Sequence, residues 1–176
     1  MTRPRLLARF DGAVLRVAPA QPLPEVRPEE ALPLAALRAW CLAEPTRHWA
    51  MQAVTPLPGL DLARALEALQ RELDGDFLLR SLPPGWPRLG LRLRVKAADA
   101  LPARWRPRDA PWDAGYLVDD AGVRAALPHF RPRRPTLMVA DAMPDAALRA
   151  AIDTLAAAAP QFRWPVRLVV PAPLGA

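Results

Sequence analysis

The chain has 176 residues, of which 52% are hydrophobic, and it carries a formal net charge of +6. This length fits one domain, residues 1–176, which can bury roughly 70% of the surface that its unfolded chain exposes. The single cysteine, Cys41, excludes an internal disulfide, and the lack of any run of about 20 apolar residues excludes a membrane-spanning helix.

The residue usage indicates the type of organism and compartment. Arginine supplies nearly all the basic residues, Lys96 is the only lysine, and asparagine is absent, which is typical of a bacterial gene of high GC content. Arg9, Asp11 and Arg16 interrupt the apolar N-terminal stretch, so it does not match a secretory signal peptide. The sequence therefore predicts a bacterial, cytoplasmic protein.

The first quarter of the chain predicts a hairpin, a helix and a strand. Asp11-Gly12 can form the type I′ turn of a hairpin between two short apolar runs. After a proline-rich connection, a helix is expected over about 29–43. The stretch "HWAMQAV", which follows it, has the composition of a strand.

A second helix is expected to begin after Asp61, a good N-cap residue. Glu67 and Arg71 form a favourable i,i+4 pair on it, and Gly75 suits the turn that ends it. The strongest indication is a single leucine stripe at helical spacing, formed by Leu62, Leu66, Leu69 and Leu73.

The middle of the chain predicts strands. "DFLLRSL" is short and apolar enough for one strand, and the strict alternation of "LGLRLRVKA" predicts another. "GYLVDDAGVRAAL" is compatible either with a strand and turn leading into a short helix or with a hairpin.

The last forty residues predict a parallel βαβ unit. "TLMVA" is continuously apolar, as expected of a strand buried on both faces. A helix over about 144–158 places Leu148, Ile152 and Leu155 on one face, and "VRLVV" forms the next strand. This order predicts a right-handed crossover between parallel strands.

Two stretches of the chain resemble each other. "ALPLAALRA" (31–39) and "AMPDAALRA" (142–150) share a pattern, and "VLRVAPA" (14–20) aligns with "TLMVADA" (136–142). The similarity indicates either an internal pseudo-repeat of one βαβ unit or a coincidence in a chain rich in Ala, Leu and Arg. The predicted fold is α/β: a mixed sheet with two βαβ-like units and three main helices.

Several chemistries lack the residues they require. No glycine-rich loop follows a strand and no P-loop motif exists, so neither nucleotide fingerprint is present. His48, His129 and Cys41 are too few to assemble a structural zinc site, and Ser81 lacks the context of a nucleophile elbow. Cys41 is expected to be a small buried residue. The sequence predicts no cofactor and no metal.

The best candidates for catalysis are three carboxylates. Asp141 follows a predicted buried strand, where open α/β sheets often place their sites, but it also precedes a helix that it could cap. Asp119 and Asp120 are adjacent, which fits a turn, with an acid/base or metal role as the alternative.

The positive charge is concentrated in residues 86–134. This segment holds ten arginines and one lysine against five acidic residues, whereas the rest of the chain is neutral. Arginine and tryptophan alternate in it, and these residue types dominate protein interfaces and also bind phosphates and stack on bases. The candidate partner-binding residues are Arg92, Arg94, Arg104, Trp105, Arg106, Trp112, Arg133 and Arg134.

These observations leave several functions open. The sequence favours a non-catalytic binding or assembly subunit of a bacterial complex that docks an acidic protein partner through the basic segment. The first alternative is a nucleic-acid-binding protein, although no motif of that class is present. The second is a small enzyme using Asp141 with Asp119 or Asp120. A further interpretation requires no partner: the basic residues form a solvated face, and the tryptophans pack on the core.

Overall fold

The computed structural model describes residues 14–16, 28–43, 48–55, 61–100, 111–132 and 134–171. In these residues four strands form one sheet: β1 (Trp49–Val54), β2 (Asp113–Leu117), β3 (Thr136–Ala140) and β4 (Val166–Pro171). Six helices accompany it: α1 (Pro28–Leu42), α2 (Leu62–Leu73), α3 (Gly75–Ser81), α4 (Trp86–Ala100), α5 (Ala121–Ala126) and α6 (Asp145–Ala158).

The strand order is β1-β4-β3-β2, and all three pairings are parallel. Every residue of β3 is buried, as its continuous apolar run predicts for a strand covered on both faces. The α/β class is confirmed. The four described strands form a parallel sheet, and the three predicted helices are present as α1, α2 and α6, with three further helices beside them.

Two βαβ units share the central strand. The chain runs from β2 through α5 to β3 and then through α6 to β4, with each pair of strands adjacent and parallel. The βαβ unit predicted from the last forty residues is therefore confirmed. Its helix places Leu155 in the core, with Leu148 and Ile152 half-buried beside it.

The predicted first βαβ unit is wrong, and with it the pseudo-repeat. Arg16 and Tyr116 exchange two backbone hydrogen bonds of 2.9 Å in an antiparallel bridge, so residues 14–16 lie beside β2, at the end of the sheet far from β1. Because β1 and β2 are parallel to each other, residues 14–16 also run antiparallel to β1. Gly115 permits this approach, because a Cβ there would lie 2.7 Å from the Arg16 carbonyl oxygen. The hairpin around Asp11-Gly12 lies outside the described residues.

The sheet separates two apolar layers. On one face α5 and α6 cover β2–β4, and Phe130 meets Phe162 edge-to-face with 5.9 Å between ring centroids. On the other face α1 and α2 pack on the sheet through Leu37, Cys41 and the leucines of α2. No helix in the described parts of the chain is long and apolar enough to cross a bilayer.

Helix α2 forms as its sequence predicts. The Asp61 carboxylate accepts a hydrogen bond of 3.1 Å from the Arg64 backbone N–H, which caps the helix. Leu66, Leu69 and Leu73 are buried and Leu62 is half-buried. Arg71 is also buried, where it pairs with Glu67 and lies 5.3 Å from the centre of the Phe77 ring.

The two strands predicted in the middle of the chain are wrong, because "DFLLRSL" lies in α3 and "LGLRLRVKA" lies in α4. The α4 segment is rich in Leu, Arg, Lys and Ala, which favour helices, and Val95 is its only β-branched residue. The strand, turn and short helix expected of "GYLVDDAGVRAAL" are confirmed by β2 and α5.

Candidate functional site

The structure describes four of the eight residues predicted to form the basic surface. Arg92 and Arg94 lie on α4, where Arg94 is exposed and Arg92 is half-buried. Arg104, Trp105, Arg106 and Arg133 lie outside the described residues. Trp112 and Arg134 are in the interior.

Trp112 packs into the layer beneath α2. Its backbone N–H donates to the Leu73 carbonyl at 3.2 Å, and its own carbonyl accepts from the Gly75 N–H at 3.1 Å. The indole is buried with the leucines of α2, so the reading in which tryptophan packs on the core holds for this residue. Its burial removes it from any surface that a partner could contact in this conformation.

Arg134 is buried beside an acid on the neighbouring strand. Its guanidinium Nη1 lies 3.5 Å from Asp113 Oδ1, and both side chains are almost fully covered. A buried arginine requires such a partner, because an uncompensated charge in the interior is costly. Arg134 therefore contributes to the structure of the sheet's amino edge, and not to an accessible basic surface.

One apolar stripe does face solvent, and we call it the α4 outer face: Trp86, Leu89, Gly90 and Leu93. Successive residues of a helix are rotated by about 100°, so these four positions fall within an arc of about 100°. Trp86 is 85% exposed, Leu93 is 58% exposed, and Leu89 is also exposed. A Cβ added at Gly90 would meet nothing within 4 Å.

Positive charge borders the α4 outer face on both sides. Arg94 and Lys96 lie about 80° to either side of Trp86 around the helix axis, and both are exposed. No acidic residue occurs between Trp86 and Lys96, the part of α4 whose side chains are described. The surface is thus apolar at its centre and cationic at its borders.

Sequence reasoning missed this face because it read alternation as a strand. In a helix, residues two apart point about 160° away from each other, so alternating apolar residues divide between opposite sides. Leu91 and Val95 take the inner side, where Val95 is completely buried, and Leu89 and Leu93 take the outer side.

The carboxylates Asp119 and Asp120 have structural roles. The Asp120 carboxylate accepts from the backbone N–H groups of Gly122 at 2.8 Å and Val123 at 3.2 Å, which caps α5 and confirms the turn role predicted for this residue. Arg16 approaches it at 3.4 Å. Asp119 instead pairs with Arg124.

Asp141 is exposed at the carboxyl end of β3, and its backbone N–H donates to the Leu117 carbonyl at 3.0 Å. It does not cap the next helix, so that expectation is wrong. Ala142, with a φ of +47°, turns the chain away, and Pro144 takes the N-cap position of α6 without a side-chain hydrogen bond.

No family model, curated protein or solved structure matches this chain. The choice between the α4 outer face and the carboxylates therefore depends on their own geometry.

The thiol of Cys41 is buried, and burial disfavours its thiolate form. Burial raises the pKa of Cys41 to about 12, although the charge of Arg167 acts in the opposite direction. Burial likewise lowers the pKa of Arg167, whose guanidinium lies 5.6 Å from the centre of the Trp40 ring. The expectation that Cys41 is a small buried residue is confirmed.

Two acidic residues and one basic residue, Arg71, act on Tyr116 near the carboxyl end of β2. Tyr116, on β2, is half-buried, and burial raises its pKa, as do the negative charges of Glu67 and Asp141. Within the described ranges, no three His, Cys, Asp or Glu side chains come together as a metal site would require. Of the two candidates, the α4 outer face is the better defined, because it combines exposed apolar side chains with positive charge on both sides.

Proposed function

We propose that this protein is a non-catalytic binding subunit that docks an acidic, amphipathic helix of a partner protein on the α4 outer face. The observation that carries the proposal is the exposure of Trp86 and Leu93 between two cationic borders. Tryptophan is among the residues most enriched at binding hot spots, and a monomer gains nothing from leaving one in water.

The geometry of α4 fits a second helix better than an extended peptide. Two helices pack side by side when residues three and four apart on one interlock with those on the other, and the α4 outer face has that spacing. Gly90 lies among the large side chains of this face and leaves a shallow gap for a partner side chain.

The charge of the borders determines the kind of helix. Arg94 and Lys96 would face the flanks of the partner's apolar stripe, where Asp or Glu would complement them and Lys or Arg would repel them. The excess positive charge of residues 86–134 would also attract such a partner from a distance.

The proposal places this subunit in a complex of the bacterial cytoplasm. Arginine-rich, lysine-poor composition supports the bacterial origin. The single, buried thiol of Cys41 and the absence of a second cysteine suit a reducing compartment.

The experiment compares two labelled synthetic helices of about five turns, which share one leucine stripe and differ in having Glu or Lys on its flanks. Fluorescence anisotropy measures the binding of each to the full-length protein. We expect the Glu peptide to bind at least about tenfold more tightly, and its affinity to fall as salt shortens the screening length below about 8 Å.

Variants locate the binding surface. Leu93→Ser should weaken binding of the Glu peptide by removing apolar contact, and Lys96→Glu should reverse the preference between the two peptides. Arg149→Glu changes one exposed charge on α6, far along the chain from α4, and is the matched control that should leave both affinities unchanged. Circular dichroism confirms that each variant is folded.

Equal binding of the two peptides, or a Lys96→Glu variant that still prefers the Glu peptide, would overturn the proposal. So would tighter binding of a single-stranded oligonucleotide to the same face, detected as competition, because that result assigns the surface to nucleic acid. Binding of vesicles rich in phosphatidylserine, abolished by Leu93→Ser, would assign it to a membrane instead.

A further inference from the structure

A cleft of about 550 Å³ opens at the carboxyl edge of the sheet, and we call it the edge cleft. Its walls come from the first turns of α2, the end of β3 with the loop after it, the first turns of α6, and the end of β4. Its lining includes Leu62, Ala63, Asp141, Met143, Asp145 and Val170. The volume lies in the range that small-molecule sites occupy.

The sheet topology explains why a cleft forms here. The chain leaves β1 for α2 on one face of the sheet, and leaves β3 for α6 on the other face. β4 lies between β1 and β3, so the two helices diverge on either side of its end. Open α/β sheets bind their ligands at such points, where neighbouring connections leave in opposite directions.

The chemistry of the lining is asymmetric. One part is aliphatic, with Leu62, Met143 and Val170 among its residues. Among the described residues that line the cleft, the ionisable side chains are the carboxylates of Asp141 and Asp145. Both are exposed.

We propose that the edge cleft is a binding site for a small molecule with an apolar body and one cationic amine head. The amine would lie between Asp141 and Asp145, and the apolar body would cover the aliphatic wall. An anionic head is disfavoured by both carboxylates, and a neutral hydroxyl would gain a hydrogen bond without the charge attraction.

A second cavity adjoins the edge cleft. About 210 Å³ of mostly apolar space lies between α1, β1 and α2, and Leu62 and Leu66 line both this cavity and the edge cleft.

The test uses three probes of nearly equal shape: 2-phenylethylamine, 2-phenylethanol and 3-phenylpropanoate. Isothermal titration calorimetry with the full-length protein should show millimolar binding of the amine, weaker binding of the alcohol and no binding of the carboxylate. Asp141→Asn and Asp145→Asn should each weaken the amine about two- to fivefold, the range expected for exposed ion pairs, and leave the alcohol unchanged.

A blocking variant makes the location falsifiable. Ala63 is exposed at the mouth of the cleft, so Ala63→Trp should fill the cleft without disturbing the core and should abolish binding of the amine. Ala150→Trp, at an exposed position of α6 outside the lining, is the matched control that should bind normally. Chemical-shift changes in an ¹H–¹⁵N spectrum should centre on Ala140, Asp141 and Leu66.

Equal affinities for the amine and the alcohol would overturn the assignment of the ligand class. Unchanged amine binding in Ala63→Trp, or no amine binding at millimolar concentration, would overturn the site. The α4 variant Leu93→Ser should bind the amine normally, so failure of this inference and failure of the docking proposal are distinguishable.

Discussion

Helices α2 and α4 are similar in length and both rich in leucine, yet α2 covers its leucines, whereas α4 leaves two of its three leucines exposed. In α2 the leucines recur every three or four residues, and Leu66, Leu69 and Leu73 are all buried. In α4 they recur every two residues, and Leu89 and Leu93 remain exposed. The same residue type therefore packs one helix into the core and gives the other an apolar face in solvent.

The difference shows that the spacing of apolar residues along a helix determines whether the core can cover all of them. A period near 3.6 collects all apolar residues on one side, which the core can cover completely. A period of two divides them between two sides, and a helix at the edge of the structure can bury only one. The uncovered side is then available to a second molecule.

The largest expected effect is a difference in stability between two variants, each with one leucine of α2 or α4 truncated to alanine. Leu69→Ala should lower the free energy of unfolding by about 2–5 kcal/mol, because it leaves a cavity in the core. Leu93→Ala should change it by less than about 0.5 kcal/mol, since the side chain is already largely in water. Urea denaturation followed by circular dichroism measures both.

The comparison fails if the two variants lose similar stability. A small loss for Leu69→Ala would mean that the α2 stripe faces solvent or a partner, and a large loss for Leu93→Ala would mean that the α4 outer face packs within the protein.

A second prediction tests whether water reaches the apolar layer between α2 and the sheet. Cys41 packs there with Leu66 and Leu69, and burial raises its pKa to about 12. The folded protein then holds the thiol proton to a higher pH than the unfolded chain does. The free energy of unfolding should therefore fall by up to about 1.4 kcal/mol per pH unit as pH rises from about 9 toward about 12.

The measurement compares wild type with Cys41→Ala in urea denaturation between about pH 8 and about pH 11. Apart from Arg167, which interacts electrostatically with the thiol, other titrating groups contribute equally to both proteins. The difference between the two slopes therefore measures the thiol together with this coupling. Identical slopes would contradict the prediction and would indicate that the thiol is accessible to water.

The smallest expected effect concerns the glycines. Gly90→Ala should raise the free energy of unfolding by about 0.5–1 kcal/mol, because alanine favours a helix and its Cβ meets nothing within 4 Å. Gly75→Ala, at the start of α3, is the contrasting control and should destabilise, since its Cβ would lie 2.3 Å from Pro111 Cβ. Thermal unfolding measures both, and a destabilising Gly90→Ala would mean that the α4 outer face is covered.

Sequence reasoning predicted the helices and strands in which the spacing of apolar residues agrees with the side that the fold buries. The stripe of α2, the buried run of β3 and the helix between β3 and β4 each follow one periodic rule, so their type and approximate bounds could be read directly. The α/β class followed from them.

The errors occur where tertiary contacts overrule a local pattern. The alternation in α4 resembles a strand, and only the available neighbours decide that it forms a helix. The position of residues 14–16 depends on the missing side chain of Gly115, a contact between segments about 100 residues apart that no local pattern encodes. The burial of Arg134 depends in the same way on Asp113 of the adjacent strand.

The pairing of β1 with β4 also affects how the molecule folds. Trp49 lies opposite Val166, so β1 is hydrogen-bonded to a segment made 117 residues later. Non-local pairings of this kind slow folding, because the entropy of closing the long loop is lost before the contact forms. During synthesis, the apolar segment "WAMQAV" therefore leaves the ribosome well before β4 exists. In that interval it is an unpaired strand able to associate with other chains, so slow translation or high expression favours aggregation over completion of the sheet.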